Sequence, residues 1–363
     1  MLHAAVIGFP STGKTTLFQL MTSIRDAPRS KGDVNIGISR VPDDRLDRLT
    51  AMYNPRKRVP ATVEFTDIVA TTRSGGASAL VDVAGYKNAD ALVHVVRAFR
   101  DEAVPHPKGS IDPARDAQAM EDELILADLG IAERRLERIQ RDLKKGRSTE
   151  LEKERDLVER CRTALEAGEP LRALSLSADD RKLLRGFQFL SAKPLLLVIN
   201  VDEADIADIA SGIDTIAQKS GLTAFLARAS TRAAALCAKM ELEISQLEAD
   251  DAAAFLADLG LQESGLDRVI RTTYELLGYM SFFTVGEDEC RAWSIARGTP
   301  AQLAAGEIHS DIQRGFIRAE VVAYDALIGR GSMAACRDHG EVRLEGKEYV
   351  VQDGDIINFR FAT

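Results

Sequence analysis

The sequence lacks the usual signs of a metal cluster, a disulfide framework, a membrane span or an export signal. Its 363 residues include four cysteines, which lie far apart and form no Cys-x-x-Cys pair, and five scattered histidines. This usage argues against a metal cluster and fits a reducing cytoplasm. No run of about 18 uninterrupted apolar residues could span a membrane. No basic segment followed by a cleavage-like site indicates export.

Excess positive charge is also missing. The net charge is −9, so a general attraction to nucleic acid is not expected and DNA is not an expected partner. Any contact with RNA would need a local basic face. The length exceeds one ordinary hydrophobic core, which predicts two or three domains.

An octapeptide near the N-terminus has the pattern of a phosphate-binding loop. Residues 8–15 are Gly-Phe-Pro-Ser-Thr-Gly-Lys-Thr and match G-x-x-x-x-G-K-[ST], between an apolar run at 4–7 and a helix-like segment at 16–20. The backbone N–H groups of such a loop converge on phosphate oxygens at a helix N-terminus. Lys14 would reach the β- and γ-phosphates, and the Thr15 hydroxyl would bind Mg²⁺. The pattern therefore predicts a nucleoside triphosphate site.

The apolar runs predict an α/β protein with a parallel sheet and a smaller strand-rich module. Continuous apolar runs are typical of strands covered on both faces, and helical patterns separate them. These strands are predicted at 4–7, 62–66, 92–96, 195–199 and near 223–227. Shorter runs joined by glycine-containing turns follow from about residue 281, at 282–285, 292–295, 316–322, 343–344, 349–351 and 356–361. We therefore expect domains at 1–280 and 281–363.

An insertion at about 112–190, between the third and fourth of these strands, has two helical patterns. Apolar spacings of three and four give each pattern one seam, and a turn at Gly146 separates them, which predicts an antiparallel helical hairpin. The basic tip is either a solvated face or a contact for RNA or protein. The seams are Ile125, Leu129, Ala132, Leu136, Ile139 and Leu143, then Leu151, Glu154, Val158, Cys161 and Leu165; the tip contains Arg134, Arg135, Arg138, Arg141, Lys144, Lys145 and Arg147.

A second carboxylate is expected near Mg²⁺, at the end of a strand next to the phosphate loop. Asp67 follows the run at 62–66 and fits this position, although Ala70 stands where the D-x-x-G pattern of GTPases has glycine. Asp82 begins a D-x-x-G sequence, but only a short apolar run precedes it. Strand context favours Asp67, and Asp82 is the alternative.

The segment after the run at 195–199 is a candidate for base recognition. It has the sequence Asn200-Val201-Asp202-Glu203, where guanine-binding proteins have N-K-x-D. In that pattern the aspartate accepts two N–H bonds from guanine. Glutamate is one methylene longer, which displaces the carboxylate by about 1.5 Å and mismatches guanine's paired donors. ATP is therefore a serious candidate beside GTP.

Taken together, these features resemble the YchF/Obg-like ATPase family of translation-factor-class P-loop proteins, over essentially the whole length. The C-terminal matches are similar to the TGS domain, a ubiquitin-like β-grasp module. Besides the phosphate loop, the most specific segments are 42–46, 59–65, 192–194, 200–203, 255–261, 291–293, 309–311, 315–321 and 351–355.

The resemblance implies a G-domain with a helical-hairpin insertion and a TGS domain. It also implies slow hydrolysis of ATP, and often of GTP, with Mg²⁺ as cofactor, in a cytoplasmic protein that associates with ribosomes or ribosomal RNA. We take a monomer as the default. Lys14 and Asp67 are the expected catalytic residues, with Thr15 and Asp67 as the metal residues. The expected nucleotide-binding residues are Gly8, Ser11, Thr12, Gly13, Lys14, Thr15, Thr16, Asn200, Val201, Glu203 and, in the loop 237–241, Glu241.

Two positions depart from the family pattern. Lys31 stands where the family has the threonine of switch I, and Ala70 replaces a glycine. Both positions belong to elements that sense the γ-phosphate, so binding is better supported than catalysis. The alternative hypothesis is a nucleotide-gated module that binds the ribosome or RNA with little or no hydrolysis. A metabolic P-loop kinase is disfavoured, because no basic lid or acceptor pocket is visible in the sequence.

Overall fold

A computed structural model describes residues 2–22, 34–68, 83–146 and 148–362. Lys31, Ala70, Asp82 and Arg147 therefore lie outside the described residues. Within the described part, no helix is both long enough and apolar enough to cross a membrane. The chain divides into two compact units, a larger one of His3–Ile38 and Glu64–Leu276, and a smaller one of Met1–Leu2, Ser39–Val63 and Leu277–Thr363.

The secondary structure alternates between strands and helices along most of the chain. The strands are β1 (His3–Ile7), β2 (Val34–Arg40), β3 (Lys57–Val59), β4 (Thr62–Ile68), β5 (Ala91–Arg97), β6 (Leu195–Asn200), β7 (Thr231–Leu236), β8 (Tyr279–Thr284), β9 (Glu289–Ala296), β10 (Phe316–Val322), β11 (Arg343–Glu345) and β12 (Ile356–Phe361). The helices are α1 (Lys14–Thr22), α2 (Asp44–Tyr53), α3 (Pro113–Leu143), α4 (Thr149–Glu166), α5 (Ala178–Leu184), α6 (Ile206–Ala210), α7 (Ile213–Lys219), α8 (Thr223–Leu226), α9 (Ala238–Ile244), α10 (Ala249–Asp258), α11 (Gly265–Leu276), α12 (Ala301–Ile308), α13 (Ser310–Arg314), α14 (Tyr324–Arg330) and α15 (Met333–Asp338).

The larger unit is built on a sheet of order β2-β4-β1-β5-β6-β7. Strands β4, β1, β5, β6 and β7 pair in parallel in that order. Every residue of β5 and β6 is buried, because helices cover both faces, and this explains their continuous apolar runs. The predicted α/β class and four of the five predicted strands of this sheet are confirmed.

The fifth predicted strand, at 223–227, is wrong. This segment forms the short helix α8, and only Phe225 of its four residues is buried. The edge strand is instead β7, which contains three consecutive alanines and so carries little β propensity in its sequence. Strand β2 was also not predicted, because its burial is inverted: Asn35 and Ser39 face inward, whereas Ile36 and Ile38 are more than half exposed.

The insertion forms the predicted helical hairpin. Helix α3 runs for 31 residues, and α4 packs against it across buried Ala132, Leu136, Val158 and Cys161. Arg135 adds a bidentate bond to Glu154, with both N–O distances at 2.6 Å. The seam spacing therefore gave the correct face for both helices, although Glu154 occupies its seam position as a salt-bridge partner.

Buried carboxylates on the first half of α3 attach the insertion to the segment that returns to the sheet. Glu121 accepts a bond from Arg172 at 2.7 Å, with both side chains almost fully buried. Asp128 accepts bonds from the backbone N–H of Leu190 and Ser191 at 2.8 and 2.7 Å. Burial raises the pKa of Asp128 to about 6, against the lowering effect of those bonds.

The smaller unit contains a mixed sheet of order β11-β10-β12-β8-β9-β3. Strands β12 and β8 pair in parallel at its centre, whereas β8–β9, β10–β11 and β10–β12 are antiparallel. This is the β-grasp arrangement, in which the first and last strands of the module lie side by side. The apolar side of α12 packs on it through buried alanines. The predicted β-grasp class therefore agrees with the observed sheet.

Two details of this unit differ from the sequence predictions. Residues 349–351 form no strand and contribute only the single bridge between Val350 and Pro300. The smaller unit also includes Ser39–Val63 together with the C-terminal residues. Within this unit β3 pairs with β9, and Arg45 lies 3.0 Å from Asp353. The predicted domain boundary at residue 280 therefore remains a proposal. The two compact units differ from it because residues 39–63 belong to the smaller unit.

Replacing Arg172 should destabilise the larger unit strongly. Arg172→Met leaves the Glu121 carboxylate buried without its cation, a change that costs about 3–5 kcal/mol. The matched control is Arg160→Met, because Arg160 is half exposed and pairs with Asp180 at 3.4 Å; an exposed pair contributes about 1 kcal/mol or less. Urea unfolding followed by circular dichroism measures both changes. Equal losses in the two variants would contradict the assigned role of the buried pair.

Candidate nucleotide-binding site

The phosphate loop lies where the sequence places it, between β1 and α1. Strand β1 ends at Ile7 and α1 begins at Lys14, two residues earlier than the sequence pattern indicates. Gly8, Ser11 and Gly13 have φ angles of 148°, 65° and 94°. A Cβ at Gly8 would lie 2.6 Å from the carbonyl oxygen of Val95, so the loop can approach the sheet this closely only with glycine there.

Asn200 connects the loop to the base-recognition segments. It is the last residue of β6, and its Nδ2 donates to the Thr12 carbonyl at 3.1 Å. Its Oδ1 accepts from the backbone N–H of Ala238 at 3.0 Å. One buried amide therefore holds together three predicted parts of the site: the phosphate loop, the segment 200–203 and the loop 237–241.

The predicted metal residues are also adjacent. The Thr15 hydroxyl donates to Oδ2 of Asp67 at 3.2 Å. The other carboxylate oxygen, Oδ1, is buried and has no hydrogen-bond partner in the described part of the chain. Burial raises the pKa of Asp67, and the nearby Lys14 and Thr15 oppose this shift. A carboxylate with an unsatisfied oxygen beside a hydroxyl suits a hard cation such as Mg²⁺, which prefers oxygen ligands.

Lys14 is partly buried in the loop. Its ammonium donates to the Phe9 carbonyl at 3.3 Å. Burial lowers its pKa, whereas the charge of Asp67 raises it. The alternative carboxylate Asp82 lies outside the described residues, and the residues that follow it form a 3-10 helix at Val83–Tyr86 rather than a strand. The neighbouring strand that reaches the loop is β4, in which Asp67 lies beside Val6 of β1.

The remaining predicted site residues are Val201, Glu203, Thr16 and Glu241, and they differ in burial and in hydrogen-bond partners. Val201 is buried, and Glu203 is half exposed and pairs with Lys239 at 2.8 Å. Thr16 lies in the first turn of α1. Glu241 is buried and accepts a hydrogen bond from the backbone N–H of Gly265 at 2.7 Å. This bond stabilises the start of α11 and is not directed at the phosphate loop.

Sequence reasoning missed two buried residues of β5 near the loop. His94 is fully buried, and burial, reinforced by the charge of Lys14, lowers its pKa to about 3. Arg97 ends the strand and donates to the Ser11 carbonyl at 3.4 Å. His94 interrupts the apolar run at 92–96, and Arg97 directly follows it. Polar residues within a strand that is buried on both faces were the signal that could have identified them.

The fold and the loop geometry define a class. A parallel sheet with a glycine-rich loop at a helix N-terminus, a lysine in that loop and a carboxylate on the adjacent strand is a P-loop nucleotide-binding protein. Comparison with known proteins gives the family. A Bacillus subtilis (strain 168) protein called ribosome-binding ATPase YchF is 41% identical over 367 residues, covering 99% of each chain. The chain belongs to the YchF/Obg-like ATPase family.

Further comparisons agree with this assignment. A rice (Oryza sativa subsp. japonica) protein called Obg-like ATPase 1 is 33% identical over 371 residues, with 99% of this chain and 92% of the relative covered. The solved structure of the Schizosaccharomyces pombe YchF GTPase matches with a TM-score of 0.84 and 29% identity, covering 99% of this chain and 97% of that one. The family model YchF-GTPase_C, described as a protein of unknown function (DUF933), matches residues 279–362.

Gly13 offers a direct test of the contact between the loop and Asn200. A Cβ at Gly13 would lie 2.6 Å from Asn200 Nδ2. Gly13→Ala should displace that amide and weaken MgATP binding at least about tenfold, the equivalent of one hydrogen bond of about 1.4 kcal/mol. The control is Gly109→Ala, because Gly109 also has a positive φ, of 78°, but its Cβ would have no neighbour within 4 Å. Calorimetric titration measures both; equal weakening would contradict the mechanism.

Proposed function

We propose that this protein binds ATP with Mg²⁺ at the phosphate loop, hydrolyses it slowly, and associates with the ribosome in a way that depends on the bound nucleotide. Membership of a family named for its ATPase activity supports the first part. The observation that carries the assignment is the Asn200 amide, which joins the phosphate loop to both base-recognition segments. The ribosome as partner is carried over from the names of the relatives.

The roles of the site residues follow from their positions. Lys14 and the loop N–H groups would stabilise the charge that develops on the transferring phosphoryl group. Thr15 would bind Mg²⁺ directly, and Asp67 would hold it through its free oxygen or through a bound water. The metal would supply charge neutralisation for the β- and γ-phosphate oxygens. The protein's contribution is to hold these donors in place before the nucleotide arrives.

Selection of the base is proposed to favour adenine. Guanine recognition requires a carboxylate that is free to accept two N–H bonds. Glu203 is longer than the aspartate of the guanine-binding pattern, and it pairs with Lys239 at 2.8 Å. Because this contact competes with guanine for the carboxylate, the observation favours ATP over GTP while leaving GTP as a weaker ligand.

The hairpin tip supports a contact with RNA. Arg134, Arg138, Arg141, Lys144 and Lys145 are exposed near the end of the hairpin. Of the tip residues, Arg135 is held by Glu154, and Lys145 pairs with Asp142 at 3.2 Å. A cluster of exposed cations on a chain of net charge −9 is a local basic face that could bind the phosphate backbone of ribosomal RNA.

We propose that this protein acts in the cytoplasm and as a monomer.

Lys14→Ala should abolish most of the triphosphate affinity. The variant loses the only ammonium in the loop, and a bond to a charged group contributes about 1.5–3 kcal/mol, so binding should weaken by about 10–100-fold. Titration with fluorescent ATP and GTP analogues measures this, with Lys219→Ala, an exposed lysine that pairs with Asp208, as the control. Unchanged ATP affinity in Lys14→Ala would refute the site.

The same samples separate slow hydrolysis from gated binding. Release of ADP and phosphate from the wild type over hours is the expected result for an ATPase. Tight binding of ATP with no product over that time would instead favour the nucleotide-gated binding module. Lys31 and Ala70, on which that alternative depends, lie outside the described residues, so product formation is the deciding measurement.

The Mg²⁺-dependent part of ATP affinity should fall as the pH is lowered. Mg²⁺ needs the charged form of Asp67, and burial raises the pKa of this carboxyl above its usual value of 3.8. Protons therefore compete with the metal at a higher pH than for an exposed aspartate, and affinity is regained as the pH rises through the raised pKa. Titrations between pH 5 and 8 with and without Mg²⁺ measure this. Asp67→Asn should have weaker Mg²⁺-dependent binding and a flatter profile, and an identical slope would contradict the prediction.

A further inference from the structure

Arg97 is a buried cation at the back of the phosphate loop. Its side chain is among the largest fully buried ones in the described residues, with a relative exposure of 1%. It is the last residue of β5, and in the strand register it lies beside Asn200, the last residue of β6. Two polar side chains therefore stand at the ends of neighbouring strands, directly under the loop.

These two side chains hold consecutive carbonyl groups of the loop. Nη1 of Arg97 donates to the Ser11 oxygen at 3.4 Å, and Nδ2 of Asn200 donates to the Thr12 oxygen at 3.1 Å. In a planar trans peptide, the C=O and the N–H point in opposite directions. Fixing the Ser11 oxygen towards the sheet therefore directs the Thr12 N–H away from it, and fixing the Thr12 oxygen does the same for the Gly13 N–H.

The guanidinium is fixed on its other side by the main chain. Its Nε and Nη2 donate to the carbonyl oxygens of Phe99 and Asp101, at 3.2 and 3.3 Å. It also lies over the Phe99 ring, with 4.4 Å between Cζ and the ring centroid. The Arg97 guanidinium therefore links the loop to the segment that follows β5. Because these contacts fix its position, its hydrogen bond to the Ser11 carbonyl is not easily broken.

The charge of Arg97 has no carboxylate partner in the described part of the chain, since all its hydrogen bonds there go to carbonyl oxygens. An arginine remains protonated in proteins, and buried charges are normally paired. A polyphosphate bound on the opposite side of the loop is an anion of the right sign to balance it. The position of the group therefore suits a second role, in electrostatic attraction of the phosphates.

We propose that Arg97 is a positioning residue for the phosphate site: it orients the Ser11–Thr12 peptide so that its N–H faces the phosphates, and its charge favours their binding. This inference rests on the proposed nucleotide-binding function and deepens it. It concerns the phosphate chain and not the base, so it applies equally to any ligand that carries the same phosphates.

The test compares Arg97→Met, Arg97→Lys and the wild type. We would measure the affinity for MgATP directly, and for tripolyphosphate, which has no base, by competition. Arg97→Met removes the charge and every hydrogen bond, and should weaken both ligands by about 100-fold. Arg97→Lys keeps the charge but cannot form the same set of bonds, so both affinities should fall by only about 3–10-fold. This partial rescue is not expected if Arg97 serves only to fill space.

The control is Arg228→Met. Arg228 also lies over an aromatic ring, that of Phe225 at 4.3 Å, and donates to Gln118. It contacts no residue of the phosphate loop in the described structure, so its loss should leave both affinities unchanged. If Arg97→Met fails to fold, Arg97→Lys decides the question, because an affinity equal to that of the wild type overturns the proposal.

The outcomes separate this inference from the proposed function. A wild type that binds MgATP, together with an Arg97→Met variant that binds it equally well, overturns the role of Arg97 and leaves the proposed function standing. A loss in Arg97→Lys as large as that in Arg97→Met also overturns it, because the retained charge then has no effect. A wild type that binds neither MgATP nor tripolyphosphate overturns the proposed function and this inference with it.

Discussion

The nucleotide site depends on the side-chain amide of Asn200. A buried amide is costly unless its donor and its acceptor are both satisfied. Here Nδ2 donates to the Thr12 carbonyl and Oδ1 accepts from the N–H of Ala238. Losing either bond would leave one buried polar group of the amide unsatisfied. The amide can reach both groups because β6 ends at Asn200, level with the end of β5 at Arg97 and beside β7. The parallel register of three strands thus brings segments distant in sequence to one edge of the sheet.

Local patterns predicted the parts of the molecule whose structure depends on neighbouring residues. The loop at 8–15, the buried strands β5 and β6, and the hairpin seam all have signals that a short window contains. Strand β7 has no such signal, because its alanines are weak strand formers and are held there by pairing with β6. Strand β2 was not predicted for a different reason, since its exposed isoleucines reverse the usual relation between polarity and burial.

The candidate site was predicted in part for the same reason. Lys14, Thr15 and Asn200 lie in recognisable motifs, and Asp67 could be chosen because it follows the run at 62–66, which predicts a strand; in the structure it lies within β4. Arg97 belongs to no motif, and its partner Ser11 lies 86 residues away in the sequence. The Glu121–Arg172 pair spans 51 residues and was equally invisible. Glu241 lies in a matching segment, yet its bond to Gly265 serves the packing of a helix. Motifs identify segments, whereas the contacts of each side chain depend on the fold.

The length of α3 has a mechanical consequence. At 1.5 Å per residue, its 31 residues extend for about 46 Å. The first half of the helix is fixed by buried Glu121 and Asp128, and the second half packs against α4 through Ala132 and Leu136. A small rotation of α3 about the residues that fix its first half would therefore become a larger displacement at the tip of the hairpin. A rotation of about 5° at Asp128, which lies about 23 Å from the end of α3, would move that end by about 2 Å, enough to break a hydrogen bond.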